Sequence, residues 1–284
     1  MLTYVPQGGS SFLLPIYGIP IVKDLLKKQM SALKGFLKTL FGRKKTTRTL
    51  NPGIELVEVP PGKFLMGSPQ GELGRLSDET QHEVTLTRGF KIGKYPVTQA
   101  QWKAVMGDEH TFFAQPHPKV PADSLNWNDC QDFLSKLSRM TGKTWRLPTE
   151  AEWEYACRAG TKTALNSGKN ITDEYKCPNV EELAWYGRNA VKTPHPVGEK
   201  KPNAWGLHDM HGNIYEWCSD SYAPYPSGPV TDPDGSSISE AQTLVLRGGC
   251  WLVSARSCRS ANRGYGHPED NHEMYGMRVV CDLD

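Results

Sequence analysis

The stretch that decides the fold lies near the C-terminal end and reads, from Arg247 to Val280, RGGCWLVSARSCRSANRGYGHPEDNHEMYGMRVV. It contains residues typical of a rigid framework, here called the frame: Arg247-Gly248-Gly249, Trp251, Cys258-Arg259-Ser260-Ala261-Asn262-Arg263, Pro268 and Gly276-Met277-Arg278-Val279-Val280. Twelve irregular positions lie between them: Leu252, Val253, Ser254, Ser257, Gly264, Tyr265, Gly266, His267, His272, Glu273, Met274 and Tyr275. These follow neither the period of 2 of a strand nor the period of 3.6 of a helix. Chemical variety inside a fixed framework is typical of a recognition surface on loops.

Each group of residues suggests its own role. Arg247 and Arg278 carry forked donors that can hold loop carbonyl groups in place, and Trp251 is expected to pack beneath the loops. Glu273 and Ser257 are expected to select a ligand by polarity. The remaining large side chains predict an aromatic and apolar centre that anchors the ligand: Leu252, Val253, Tyr265, His267, His272, Met274 and Tyr275.

The rest of the chain reads as one folded domain with many turns. Its 284 residues, of which 38% are hydrophobic, are enough to bury one sizeable core. Short apolar runs at 54–59 and 64–66, and an alternating run at 84–87, predict strands of a small mixed sheet. The seven cysteines form no C-x-x-C pair and show no zinc-site spacing with histidine, so they are expected to be reduced thiols.

Two helices have clear start signals. Thr98 with Gln101, and Thr149 with Glu152, match the capping box, in which two side chains satisfy each other's free backbone donors. Apolar residues at helical spacing predict a third helix between them, which Gly142 closes. None of the histidines has a spacing that indicates catalysis.

The N-terminal segment differs in charge from everything that follows. Residues 21–48 hold nine Lys or Arg against Asp24 alone, although the whole chain has a net charge of +2. Six apolar residues spaced by three or four predict an amphipathic helix with a basic face: Val22, Leu26, Met30, Leu33, Leu37 and Leu40. Two interpretations stay open: residues 21–45 dock on a membrane surface or a partner protein, or the helix packs back on the domain.

Composition and charge exclude several classes of function. The basic segment of residues 21–48 lacks the interleaved aromatic residues of a protein that binds single-stranded nucleic acid, so nucleic acid is not an expected partner. The start of the chain shows no secretory signal, and no stretch reaches the roughly 18 apolar residues of a membrane span. The sequence therefore predicts a protein that is cytoplasmic or associated with a membrane surface.

Five motifs follow one another between residue 64 and the C-terminal end. They are Phe64-Leu65-Met66-Gly67-Ser68, Tyr95-Pro96-Val97-Thr98, Arg146 to Glu154, Gly206 to Trp217, and the frame. Together they resemble the formylglycine-generating-enzyme type (sulfatase-modifying factor) of the C-type lectin fold. The resemblance implies a loop-rich α+β domain over residues 51–284, with a ligand-binding region at 247–280. Residues 1–50, with the amphipathic helix, lie outside the resemblance and form an N-terminal segment.

The catalytic residues of those enzymes are only partly present. The family oxidises a cysteine of sulfatases, and it binds copper through two cysteines five positions apart. The second cysteine matches Cys258, but the first falls on Val253, so the resemblance implies a non-catalytic protein without copper. Cys250 lies eight positions before Cys258, which leaves a cysteine- or copper-dependent oxidase as the alternative from another class.

The frame also resembles the variable region of proteins that diversity-generating retroelements diversify. In those relatives, adenine-rich Asn codons lie where this chain has its irregular positions, and mutation of adenines scatters them into many residue types. The resemblance therefore implies a receptor that binds a protein ligand through a diversified surface. Two alternatives remain: a binder with a fixed surface, and a membrane-associated effector that acts through the N-terminal helix.

A structural calcium ion is the one metal that the resemblance implies. Its ligands would be Asp209, the backbone oxygens of Gly212 and Ile214, and Glu216. Hard oxygen ligands in a tight glycine turn suit Ca²⁺ better than Zn²⁺. The alternative is that Glu216 caps the loop through backbone donors and no metal binds.

Overall fold

The structure is a computed structural model that describes residues 52–107, 116–235 and 243–283. The predictions made for residues 1–50, including the basic amphipathic helix, lie outside the described residues and stay predictions. Within the described ranges, no helix has the length and apolar character needed to cross a membrane.

Four α-helices form in the described residues: α1 (Gln99–Met106), α2 (Trp127–Thr141), α3 (Glu150–Arg158) and the short α4 (Pro178–Glu181). A 3₁₀ helix covers Ala255–Cys258. Both predicted capping boxes are present at the starts of α1 and α3. The predicted third helix is α2, and Gly142 ends it in the left-handed conformation with φ of 71°. A third capping box, between Asn126 and Asp129, starts α2.

Eleven strands form three sheets in the same residues. In chain order they are β1 (Leu56–Val59), β2 (Gly62–Met66), β3 (His82–Leu86), β4 (Phe90–Gly93), β5 (Trp145–Arg146), β6 (Tyr215–Ser221), β7 (Val230–Thr231), β8 (Leu244–Arg247), β9 (Gly264–Gly266), β10 (Tyr275–Gly276) and β11 (Val280–Asp282). The sheet orders are β1-β4-β11-β5, β10-β6-β8-β9 and β2-β3-β7. Mixed helix and strand content with short elements agrees with the predicted α+β class.

The three strands predicted upstream exist, but they do not share one sheet. Strand β1 pairs with β4, whereas β2 pairs with β3, with Phe64 opposite Val84. Strand β2 begins at Gly62, two residues before the predicted run at 64–66, because the antiparallel register extends to Leu86. Short apolar runs and one alternating run predicted the strands themselves, but the choice of pairing partner depends on residues distant in sequence.

The C-terminal stretch lies on the sheet formed by β10, β6, β8 and β9. All four residues of β8 are buried, and β8 lies between β6 and β9 at the centre of this sheet. Helix α3 packs against β6 and β8, and its Trp153 is fully buried. Arg247, the first residue of the frame, is also the last residue of β8. The burial of this strand therefore holds the start of the frame in the core.

Candidate ligand-binding surface

The frame is buried and held by four arginines, each of which meets a buried glutamate. The pairs are Arg247 with Glu154, Arg259 with Glu79, Arg263 with Glu150, and Arg278 with Glu216. None of the four arginines is more than 5% exposed. Removing one partner of a buried ion pair costs about 3–5 kcal/mol, since a charge is left without a partner away from water. The frame is thus rigid for an electrostatic reason.

All four arginines also donate to backbone carbonyl groups, and the sequence predicted this for Arg247 and Arg278. The guanidinium of Arg247 donates to the carbonyl of Asn262 at 2.7 Å and to that of Ser260 at 2.8 Å. The guanidinium of Arg278 donates to the carbonyls of Gly93 at 2.7 Å and His208 at 2.8 Å. The bonds of Arg247 fix the backbone between the irregular positions 252–257 and 264–267. Those of Arg278 connect the end of the frame to the end of β4 and to His208.

Eleven of the twelve irregular positions reach the solvent. Five are exposed and six are half-buried, whereas every frame residue except Pro268 is buried. The exposed ones are Leu252, Tyr265, His267, His272 and Glu273. The half-buried ones are Val253, Ser254, Ser257, Gly264, Met274 and Tyr275. The division of the sequence into a frame and irregular positions therefore matches a division between core and surface.

Gly266 is the exception and belongs with the frame. It is buried on β9, and a Cβ atom added to it would lie 2.7 Å from the ring of Trp217. No side chain fits there without displacing a fully buried ring, so Gly266 cannot present chemistry to a ligand. Absence of a periodic pattern does not distinguish a glycine needed for packing from an exposed residue, which is why the sequence placed Gly266 on the surface.

The backbone of the irregular positions rests on residues that the sequence did not indicate. The amide of Gly187 donates to the carbonyl of Val253 at 2.8 Å, and a Cβ atom at Gly187 would lie 2.7 Å from the carbonyl oxygen of Leu252. Farther along, the amide of Trp127 donates to the carbonyl of Pro268 at 3.1 Å. The two backbones approach so closely that only glycine fits at position 187. The glycine itself is the only feature of the sequence that could have indicated this contact.

The predicted aromatic centre is divided into two parts. The ring of Tyr275 lies 5.3 Å from the ring of Trp217 and 5.5 Å from that of His272. The ring of Tyr265, on β9, lies 4.7 Å from the ring of Tyr222 instead. Strands β9 and β10 are the two outer strands of their sheet, so Tyr265 and Tyr275 lie on opposite edges of it.

Comparison with known proteins places this fold and surface in a family. The family model of the sulfatase-modifying factor enzyme 1-like domain matches residues 42–283. The chain belongs to this family. Its predicted fold, the formylglycine-generating-enzyme type of the C-type lectin fold, is thereby confirmed.

Relatives in the family include both enzymes and proteins with other names. The chain is 35% identical over 205 residues to the formylglycine-generating enzyme of Streptomyces coelicolor, covering 66% of this chain and 60% of the enzyme. It is 29% identical to the Bos taurus enzyme, covering 74% of this chain and 56% of that enzyme. The chain thus spans less than two thirds of the length of either enzyme.

Two solved structures resemble the chain over most of its length. One is PvdO from Pseudomonas aeruginosa, with a TM-score of 0.72 and 29% identity, covering 83% of this chain and 97% of that protein. The other is Treponema denticola variable protein 1, with a TM-score of 0.71 and 28% identity, covering 80% of this chain and 95% of that protein.

The cysteine positions of the family's enzymes are only partly filled. All seven cysteines are free thiols, as predicted, and Cys250 and Cys258 are fully buried. Burial raises the pKa of the Cys250 thiol to about 12, and burial followed by the neighbouring Cys250 raises the pKa of Cys258 well above its usual range. Val253 packs against both apolar clusters that contain these cysteines. Thiols in this setting are protonated and react slowly, and the Cys258–Val253 pair does not fit Cu(I).

The calcium site expected from the family does not fit the geometry around Glu216. The carboxylate of Glu216 accepts hydrogen bonds from Trp153 Nε1 at 2.6 Å and from Arg278 Nη2 at 2.8 Å. A divalent cation there would have to displace the guanidinium that neutralises Glu216. The partners of Glu216 are side chains, whereas the alternative interpretation expected backbone donors.

Asp209 is the other acidic member of that set. Its Oδ2 accepts from the amide of Gly198 at 2.8 Å, and its Oδ1 has no hydrogen-bond partner. Burial raises the pKa of Asp209 to about 6. In the part of the chain that the structure describes, no group of three or more His, Cys, Asp or Glu side chains is arranged to hold a metal ion.

Proposed function

We propose that the protein is a non-catalytic receptor that binds a protein ligand through the irregular positions, as a variable protein of a diversity-generating retroelement. One observation carries this proposal: eleven of twelve irregular positions are exposed or half-buried, while the frame that separates them is buried. Substitution at an exposed loop position changes stability little, whereas substitution in a buried ion-paired frame changes it greatly. Such a surface can vary without loss of the fold.

Similarity to Treponema denticola variable protein 1 supports the proposal. That protein shares 28% identity with the chain, and the likeness covers 80% of this chain and 95% of that protein. Its name describes it as a variable protein. We extend that property to this chain because of the pattern of its own frame and irregular positions.

Rigidity of the frame explains how such a receptor would bind. The four buried arginine–glutamate pairs order the loop backbones before a ligand arrives, so binding loses little additional conformational freedom. Aromatic side chains such as Tyr265 and Tyr275 give large contact area with only two rotatable bonds each. Affinity would then depend on which side chains occupy the surface.

An oxidase remains the second candidate because the Streptomyces coelicolor enzyme is 35% identical to the chain. Copper-dependent oxidation of this kind requires two thiolates on one copper ion. Between Arg247 and Val280, only Cys250 and Cys258 could supply them. Titration of Cu(I) with thiol counting tests this. A tight stoichiometric complex that Cys258→Ser abolishes would favour the oxidase. Under the proposed function we expect no such complex, and we expect Val253→Cys to create one.

Sequencing of the encoding locus tests the diversified receptor directly. Many clonal descendants would be sequenced across codons 250–275, together with the flanking DNA. We expect substitutions confined to adenines of a template, next to a near-copy repeat and a reverse transcriptase. An invariant segment without a repeat would contradict diversification and leave a binder with a fixed surface.

A further inference from the structure

Exposed apolar side chains are concentrated near the irregular positions. Among the described residues, eight large apolar or aromatic side chains are exposed, and Leu252 and Tyr265 are two of them. Four others lie on three loops that are hydrogen-bonded directly to residues 253–259: Leu73, Leu76, Tyr175 and Val191. Single exposed apolar residues are ordinary on protein surfaces, but five of these eight, Leu252 and the four loop residues, lie on or beside one segment, which indicates an interaction site.

The first of these loops, residues 72–76, is held by Arg259 of the frame. Arg259 Nη2 donates to the carbonyl of Gly74 at 2.6 Å, and Nη1 donates to the carboxylate of Glu72 at 2.7 Å. A Cβ atom added to Gly74 would lie 2.8 Å from the Cβ of Arg256, so the loop lies directly against the C-terminal stretch. The loop is fixed, yet Leu73 is 42% exposed.

The second loop, residues 173–176, is attached on the same segment. The amide of Arg256 donates to the carbonyl of Glu174 at 2.9 Å, and the two side chains approach to 3.4 Å. The carboxylate of Asp173 accepts from the amides of Tyr175 and Lys176 at 2.7 Å each, which fixes the turn. Tyr175 is 72% exposed on this ordered backbone.

The third loop, residues 187–192, carries backbone strain. Gly187 donates to the carbonyl of Val253, and Ala190 belongs to the buried cluster of Cys250 and Trp251. Val191 follows with φ of 52° and is 84% exposed. Left-handed backbone at a β-branched residue costs about 1–3 kcal/mol and is concentrated at functional sites. The exposed Val191 side chain buries almost no apolar area that would offset this cost.

We infer that these three loops form a constant rim around irregular positions 252–257 and contact the same ligand. The inference rests on the proposed function and adds a division of labour to it. Rim residues supply contact area that does not depend on which residues occupy the irregular positions. The irregular positions then supply selectivity, as neighbours of a shared apolar anchor.

The chemistry of the rim fits an apolar patch on a folded protein. Its anchors come from three separate loops, which are hydrogen-bonded to Val253, Arg256 and Arg259 in turn, so a ligand that contacts all of them needs a broad surface. Glu174 and Arg256 form an ion pair, so together these two side chains add no net charge to the rim. Leu73, Tyr175 and Val191 would each bury apolar area against such a patch.

The test uses the full-length chain and a display library of small three-helix domains with one randomised face as the probe. Domains selected for binding are mapped by hydrogen–deuterium exchange, and we expect protection of 72–76, 173–176 and 187–192 together with 252–257. Leu73→Ser, Tyr175→Ser and Val191→Ser should each weaken the selected domains by at least about fivefold, which corresponds to about 1 kcal/mol.

Leu65→Ser is the matched control, because Leu65 is also exposed but belongs to β2 and to none of the three loops. We expect it to leave affinity unchanged, and thermal unfolding of each variant checks that it folds. Protection confined to the irregular positions, with unchanged affinity in the three rim variants, would overturn the rim and leave the proposed function intact. Domains that protect neither region, or a library without binders, would contradict both.

Discussion

The frame and the irregular positions share the 34 residues from Arg247 to Val280 and differ in almost every physical property. Frame side chains such as Arg259 are buried and bonded to partners far along the chain, whereas irregular side chains such as Tyr265 are exposed. A charge that is buried must have its partner, and an exposed ring needs none. The difference explains how one short region can be both the most constrained and the least constrained part of the molecule.

The largest expected effect is the loss of one frame arginine. Arg278→Met leaves the carboxylate of Glu216 buried beside Trp153 without its cation, and we expect a loss of about 3–5 kcal/mol in the free energy of unfolding. Urea unfolding followed by circular dichroism measures this loss.

A double variant separates charge burial from packing in that experiment. Glu216→Gln added to Arg278→Met removes the uncompensated charge, while the amide oxygen still accepts from the indole of Trp153. We expect the double variant to recover much of the lost stability. If the single variant lost less than about 1 kcal/mol, the frame would not depend on its ion pairs.

The next effect concerns the boundary between the two groups at Gly266. A Cβ atom there would lie 2.7 Å from Trp217, so we expect Gly266→Ala to lower the free energy of unfolding by about 1–3 kcal/mol. Gly264→Ala is the matched control on the same strand, since its nearest contacts would be 3.3 Å. If the two variants were equally stable in urea, packing would not require a glycine at position 266, and Gly266 would belong with the irregular positions.

Much of this boundary could be predicted from sequence, but not the partners of the frame. Capping boxes at Thr98 and Thr149 are local signals, and both were found as predicted. The glutamate that pairs with Arg259 is 180 residues away, and no periodicity indicates that choice. Gly187 supports Val253 through its lack of a side chain, which only a three-dimensional contact reveals.

A pH effect of intermediate size is expected beside the Arg263–Glu150 pair. Burial, and then Glu150, raise the pKa of Asp220 to about 7, whereas an unfolded aspartate has a pKa of about 3.9. The stability associated with protonated Asp220 is therefore fully present below about pH 4 and is lost as the pH rises through about 7. We expect Asp220→Asn to match wild type near pH 4 and to be more stable, on the order of 1–2 kcal/mol, at pH 8.

Unfolding in urea at a series of pH values checks this difference. The amide of Glu150 donates to Asp220 at 2.8 Å, and an asparagine oxygen can accept the same bond, so the substitution changes mainly the charge. Asp282→Asn is the control at an exposed carboxylate. A constant gap between Asp220→Asn and wild type from pH 4 to pH 8 would show that the titrating group lies elsewhere.

The smallest effect is expected where the proposed function requires it, at the exposed irregular positions. Tyr265→Asn and His272→Asn should each change the free energy of unfolding by no more than about 0.5 kcal/mol, because neither side chain is buried. Of the two variants, we expect Tyr265→Asn to lose more stability, since the ring of Tyr265 contacts that of Tyr222. Urea unfolding of both variants beside Gly266→Ala measures the contrast on one scale. A loss at Tyr265 as large as that at Gly266 would mean that this position is part of the core, and a surface that must remain fixed for folding could not be diversified for binding.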